Sequence, residues 1–278
     1  VLFVFLSFIT LPLYLVIFLT LVAYGVAYAI GWLSIPVSSL SPIAPNVSAG
    51  NPIVRVREMN SRAFMIGLNA AANVIFLLPL LNLPIFSPVA LIFLGAWIFI
   101  VVSLASVISV STNRVYQGVL GWTGWISPTT IPLNIVGLFM FAWNLIPALI
   151  TGGMGALRFD FTTGAVETTG GITSIFTVPS AGGFTCGHFT FLLPPPGVPV
   201  TAVQGSFIPA VPFTPIGTPN ISAHETGHTL GYSAFGAPRI LCAIVDQLIL
   251  GNLGTALTEL SADSHVPHGA RWQVRLWS

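Results

Sequence analysis

The chain has 278 residues, of which 5% are charged and 54% hydrophobic, with a formal net charge of +1. Its mean hydropathy is +0.92, whereas a soluble globular domain carries about a quarter charged residues. These values assign the chain to a lipid bilayer, and the missing basic field excludes nucleic acid as a partner. All eight basic residues are arginine.

Apolar runs of about 18 or more residues without charge are long enough to cross the hydrocarbon core as helices. Four such runs are expected as spans: about residues 1–32, 64–83, 86–110 and 131–150. The chain opens at Val1 inside the first of them, with neither an initiator methionine nor a basic flank, the pattern of a processed or incomplete start. None of the four carries an ionisable residue in its core, which argues against an ion or proton pathway. Asn69, Asn73, Asn134 and Asn144 are expected to make hydrogen bonds between helices.

The stretch from Ser34 to Ser61 reads as a loop, with Arg55, Arg57, Glu58 and Arg62 near its end. A second connection, Ser111 to Thr130, holds Arg114 and the pair Trp122 and Trp125, which suits the headgroup level. Both connections fall on one membrane face, opposite a short hairpin around Asn82 and Pro84. Arginines close to helix ends mark the cytoplasmic side, so residues 151–278 are expected outside the cytoplasm.

Residues 1–150 therefore form a transmembrane helical domain, and 151–278 a separate, small α+β domain. That second part holds six of the seven acidic residues and all five histidines. Short strands are expected at Leu157–Phe161 and Ala165–Thr169 around a turn at Thr163 and Gly164, then at Ile172–Val178 and Phe184–Leu193. Eight prolines between Pro194 and Pro219 predict an extended loop. Helix returns with Thr218 as N-cap and Pro219 in the first turn, and runs to Ala234 or Phe235. The apolar run Ala237–Leu250, interrupted by Asp246, is too short to span and reads as a buried or interfacial helix. Asp246 itself is expected to pair with Arg239 or Asn252. Cys186 and Cys242 match no metal or redox spacing and read as two buried thiols.

The chemistry concentrates in His224, Glu225 and His228. Histidines four apart project from one helix face, one turn from each other, as two imidazoles must to share a zinc ion. Glu225 then stands where a carboxylate can take a proton from water activated there, as general base. His188, on the upstream strand, has the chemistry to stabilise an oxyanion, although a lone strand histidine is more often structural.

The run HETGHTLG resembles the HExxH zinc metallopeptidases, the zincins. The third-ligand position of the metzincin branch falls on Ala234, which excludes that branch. Downstream, TELSAD places Glu259 four residues before Asp263, a spacing similar to the gluzincin ExxxD pattern and most like the membrane-anchored HtpX and CAAX-prenyl protease group. The resemblance covers about residues 224–263. It implies Zn2+ held by His224, His228 and Glu259, with Asp263 orienting a ligand histidine. Asp246, Asp263, His265 and His268 remain alternatives for the third ligand. By the same resemblance Phe184–Leu193 would hold substrate in extended form. The expected activity is a membrane-bound zinc endopeptidase acting on peptides or membrane proteins. The rival reading is a non-catalytic integral subunit among other membrane subunits, retaining a relic HExxH site.

Overall fold

A computed structural model describes residues 13–34, 52–78, 87–107, 114–151, 157–169, 183–192, 221–250, 262 and 273–277. Seven helices and one small mixed sheet appear among these. In chain order they are α1 (Leu13–Ser34), α2 (Pro52–Leu77), α3 (Ser87–Val107), α4 (Arg114–Ile126), α5 (Ile131–Thr151), β1 (Leu157–Asp160), β2 (Ala165–Thr169), β3 (Gly183–Cys186), β4 (Phe189–Leu192), α6 (Ile221–Phe235), α7 (Pro238–Leu250) and β5 (Gln273–Trp277). The sheet order is β3-β4-β2-β1-β5.

Two of the described helices, over Leu13–Leu33 and Pro88–Ser106, are long and apolar enough to cross a membrane. Helices α4 and α5 together have the length and composition of one further span, but they meet at an angle of 85°. The bend is stabilised locally, since Thr130 N and Ile131 N both donate to the Ser127 carbonyl, at 2.9 and 3.0 Å. The expected loop over Ser34–Ser61 is corrected at its end, because α2 begins at Pro52 and takes in Arg55, Arg57, Glu58 and Arg62. Proline suits a first helical turn, where its missing N–H costs nothing. Arg62 is buried, so this arginine belongs to the packed interior rather than to a surface loop.

The outer faces of α1 and α3 are apolar and exposed, with Phe18, Leu21, Ile92 and Phe99 all turned outward. Their inner faces join a core that does not stop at residue 150. Ala27 of α1, Ile66 and Ala70 of α2, Val102 and Ala105 of α3 and Leu120 of α4 pack together with Leu230, Ala234 and Phe235 of α6. The HETGH helix is thus seated among the membrane-type helices.

The strands at 157–160 and 165–169 fall where the Thr163-Gly164 turn places them. Asp160 closes that turn, accepting Thr162 N at 2.9 Å and the Thr163 hydroxyl at 3.0 Å, and Gly164 adopts φ +72°. Trp122 and Trp125, expected at the headgroup level, donate their indole N–H groups to the Phe161 and Gly164 carbonyls, at 3.1 and 3.0 Å. Their amphipathic rings serve this hairpin, because a turn carbonyl facing a helix needs a donor. The single strand expected at Phe184–Leu193 is instead a β3–β4 hairpin, turning at Gly187 with φ +63°. Strand β4 pairs with β2 in parallel, and β5, which the sequence reading leaves unassigned, pairs with β1. The expected strand at Ile172–Val178, the Asn82–Pro84 hairpin and the proline-rich loop lie outside the described residues.

Candidate metal and peptidase site

Helix α6 runs beside β3, one edge of the described sheet, and carries His224 and His228 one turn apart, with Glu225 next to the first. Its C-terminal end is held by two side chains from outside the helix. Asn69 of α2 donates to the Ala234 carbonyl at 2.9 Å, and Thr130, at the α4–α5 bend, donates to the Tyr232 carbonyl at 3.1 Å. Gly236 follows with φ +66° and donates its own N–H back to Tyr232 O at 2.8 Å. A Cβ at 236 would lie 2.3 Å from the Thr129 hydroxyl and 2.6 Å from Asn69 Oδ1, so both conformation and space demand glycine there.

His224 and Glu225 are buried and His228 is half-buried. The two histidine Nε2 atoms stand 3.1 Å apart, with their rings nearly perpendicular at 85°. Two ring nitrogens at that distance need either a shared proton or a shared cation, because facing lone pairs repel. A tetrahedral zinc with Zn–N bonds of about 2.0–2.1 Å sets its nitrogens about 3.3 Å apart. The pair fits that edge.

Glu225 turns toward the sheet. Its Oε2 lies 2.7 Å from the Thr185 hydroxyl on β3, which also stands 3.1 Å from the Glu225 carbonyl. Thr185 in turn lies 3.2 Å from the Thr190 hydroxyl on β4. The carboxylate is therefore aimed by the edge strand, a contact that the sequence does not announce, since Thr185 stands 40 residues upstream in no motif.

Glu259 and Asp263 lie outside the described residues, as do His265, His268 and the side chain of Asp246. The residue between the first two does not. Ala262 is fully buried against the motif helix: a Cβ on Gly227 would meet the Ala262 carbonyl oxygen at 2.1 Å. The glycine of HETGH is what admits the Ala262 backbone to contact distance. Among the described residues no group of three or more histidine, cysteine, aspartate or glutamate side chains converges.

Arg239 of α7 is buried and lies over Gly231, where a Cβ would fall 1.7 Å from its Nη1. Its Nη2 stands 3.3 Å from His228 Nδ1, and its guanidinium carbon 5.7 Å from the centre of the Tyr232 ring. The expected pairing of Asp246 with Arg239 or Asn252 rests on the side chains of residues 246 and 252, which lie outside the described residues. A lone arginine three residues after a helix-ending glycine was the available signal, but nothing local says that it folds back over the preceding helix.

His188 takes no place in this site. It is fully buried, with Nδ1 3.0 Å from Asn134 Oδ1 and Nε2 2.7 Å from the Gly121 carbonyl, and it stacks on Trp125. A neutral imidazole has one N–H, so only one of those oxygens receives it. Burial pushes its pKa down to about 4 against the opposing pull of the Gly121 carbonyl. The structural role is the one this geometry supports. Asn134 also accepts the His188 backbone N–H at 3.0 Å, and Asn144 reaches Thr168 at 3.4 Å. Asn134 also donates to the Gly124 carbonyl of α4 at 3.4 Å, and Asn73 accepts from Trp97 of α3 at 2.8 Å, so both make the expected interhelical bond. Cys186 and Cys242 are free thiols, both half-buried, and burial raises the pKa of Cys186.

The chain matches no protein-family model, no curated protein and no solved structure.

Proposed function

We propose that the protein is a membrane-bound zinc endopeptidase, with His224, His228 and Glu259 as the metal-holding residues and Glu225 as general base. The observation that carries this reading is the 3.1 Å approach of the two Nε2 atoms on the helix that also presents Glu225. The contact of Ala262 with Gly227 supports the third ligand, because Ala262 stands three residues after Glu259 in the sequence and packs on the motif helix. Zinc, when bound, supplies a Lewis acid and acidifies water toward neutrality. Glu225 then takes a proton from water and returns it to the departing amine, and Thr185 keeps its carboxylate aimed during both transfers. Strand β3, an edge beside the site, is suited to pairing with an extended peptide. The substrate class is a peptide or membrane protein.

Metal analysis and peptidase assay of wild type against Glu225→Gln test the reading. Both proteins should bind zinc, and the variant should hydrolyse peptide about 10²–10⁴-fold more slowly. Zinc-loaded wild type without metal-dependent hydrolysis would sink it. One observation favours the rival, a non-catalytic integral subunit: a guanidinium donor beside His228 Nδ1 suits a hydrogen-bonded histidine pair. That rival expects no zinc dependence in any assay.

In the same reading four helices span the bilayer, as α1, α2, α3 and α5, and the C-terminal domain faces away from the cytoplasm. The support is the position of Arg55 and Arg57 near the start of α2 and of Arg114 at the start of α4, since arginines close to helix ends mark the cytoplasmic side. With Cys186 and Cys242 replaced, Ser278→Cys should react with an impermeant maleimide added outside intact cells. Reaction only after the membrane is permeabilised would reverse the orientation.

A further inference from the structure

A metal-ligating histidine ordinarily donates its second ring N–H to a carboxylate, a carbonyl or water, which fixes the tautomer that leaves the other nitrogen free for the metal. His228 faces the opposite kind of partner. Every nitrogen of a guanidinium is a donor and none accepts, so with Arg239 Nη2 at 3.3 Å the Nδ1 of His228 must be the acceptor. A neutral ring accepting at Nδ1 carries its proton on Nε2. That proton then points at His224 Nε2, 3.1 Å away, and completes a chain from Arg239 through His228 to His224.

The metal-competent arrangement differs by one proton position. His228 would carry its proton on Nδ1 and present a lone pair at Nε2, and Nδ1–H would confront the Arg239 donor. Both arrangements hold one proton on the ring, so none is gained or lost by it. What must change is the partner. Arg239 has room to be an alternative occupant only because Gly231 offers no side chain: any Cβ there would overlap its guanidinium. Its base is α7, and the turn that joins α7 to α6 is held by Gly236 N–H on the Tyr232 carbonyl and Ala237 N–H on the Thr129 carbonyl, so release requires the Arg239 side chain itself to leave Nδ1.

We propose that Arg239 is a latch on the metal site, holding His228 in the tautomer that cannot ligate through Nε2, so that zinc binding and the Arg239–His228 contact exclude each other. The latch rests on the reading of His224 and His228 as metal ligands. It assigns to α7 the control of loading: whatever draws Arg239 away admits the metal.

Two measurements on the full-length protein in detergent or nanodiscs test it. The first is zinc affinity by competition with a chromogenic chelator. Arg239→Gln, whose side-chain oxygen can accept from Nδ1–H, should bind zinc about 10-fold or more tightly than wild type, the reverse of the loss seen when a correct outer partner is removed. Arg239→Lys keeps a donor and should stay within about twofold of wild type by the same argument. The second needs no change at Arg239. In protein labelled with 15N-histidine, His228, assigned by its loss in His228→Gln, should show an unprotonated Nδ1 before zinc is added and a protonated Nδ1 afterwards. Zinc binding unchanged or weakened in Arg239→Gln, or a protonated Nδ1 in the zinc-free protein, overturns the latch and leaves the metal site standing. Failure of wild type, Arg239→Gln and Arg239→Lys alike to bind zinc overturns both.

Discussion

Helices α1 and α6 divide the molecule's chemistry between them in opposite ways. Helix α1 presents Leu13, Tyr14, Phe18, Leu21 and Leu33 outward, each more than half exposed, and buries small or apolar side chains such as Val16 and Ala27. Helix α6 buries His224, Glu225, Thr226, Thr229 and Ser233, and none of its described side chains, 224–235, is exposed. In water such a distribution would be costly for both helices; next to lipid it is the economical one. Apolar side chains facing hydrocarbon lose nothing by exposure, and backbone or side-chain polar groups must find partners inside. The polar centre of this chain is therefore an interior built by helix ends, turns and amides, and the HETGH motif lies where that interior meets the sheet.

The largest expected effect on this comparison comes from its most buried ionisable group outside the site. In the unfolded chain His188 takes a proton near its ordinary value of 6.5, whereas the folded chain resists until about 4. Between these values the unfolded state binds more protons, so stability is complete above pH 6.5 and is lost as pH falls toward 4. The shift corresponds to about 3 kcal/mol. Unfolding followed from pH 7 to 4 should show that loss in wild type and a much flatter profile in His188→Gln. Equal profiles would mean that the imidazole is not held neutral by its surroundings.

Much of this arrangement is legible in the sequence, and the boundary of what is legible follows a physical line. Apolar runs at 13–34 and 87–107, the Thr163-Gly164 turn and the helix ending at Phe235 are local signals, each set by residues within one or two turns of one another. The start of α2 is misread because Arg55, Arg57 and Glu58 resemble a solvated loop, although α2 continues through them and buries Arg62 one turn further on. The β3–β4 turn is missed because its only mark is Gly187 within an otherwise continuous strand pattern. Long-range partners leave no local trace at all. Thr185 on Glu225, Arg239 on His228, Ala262 against Gly227 and β5 against β1 are each meetings of distant segments whose own neighbourhoods do not require them. At the motif itself the sequence supplies the chemistry of His224, Glu225 and His228, while the partners that aim or oppose them come only from the fold.

A smaller effect, and a more direct separation of the two helices, is expected at Asn69. This side chain lies wholly inside α2, yet it serves three elements at once. Its amide donates to Ala234 O at the end of α6, its Oδ1 accepts from the Thr129 hydroxyl at the α4–α5 bend and also from Asn73 at 3.0 Å, and Asn73 passes the network on to Trp97 of α3. Replacement by leucine keeps the volume and removes the bonds of the Asn69 side chain, stranding the Ala234 carbonyl, while the Thr129 hydroxyl keeps Ser127 at 3.2 Å and the Asn73 amide keeps the residue 69 carbonyl at 2.8 Å. A stranded group costs about 1–3 kcal/mol, but neighbouring groups in membrane proteins partly find new partners and measured losses run lower. A net destabilisation of about 2 kcal/mol is therefore expected for Asn69→Leu in mixed-micelle unfolding, with frayed hydrogen exchange at the C-terminal turn of α6. Leu21→Val on α1 should lie within about 0.5 kcal/mol of wild type in the same measurement, because its side chain faces outward and meets no packed partner. If Leu21→Val proves as damaging as Asn69→Leu, the outer face of α1 is a packed interface with another protein rather than a lipid-facing surface, and the contrast between the two helices would have to be redrawn around that partner.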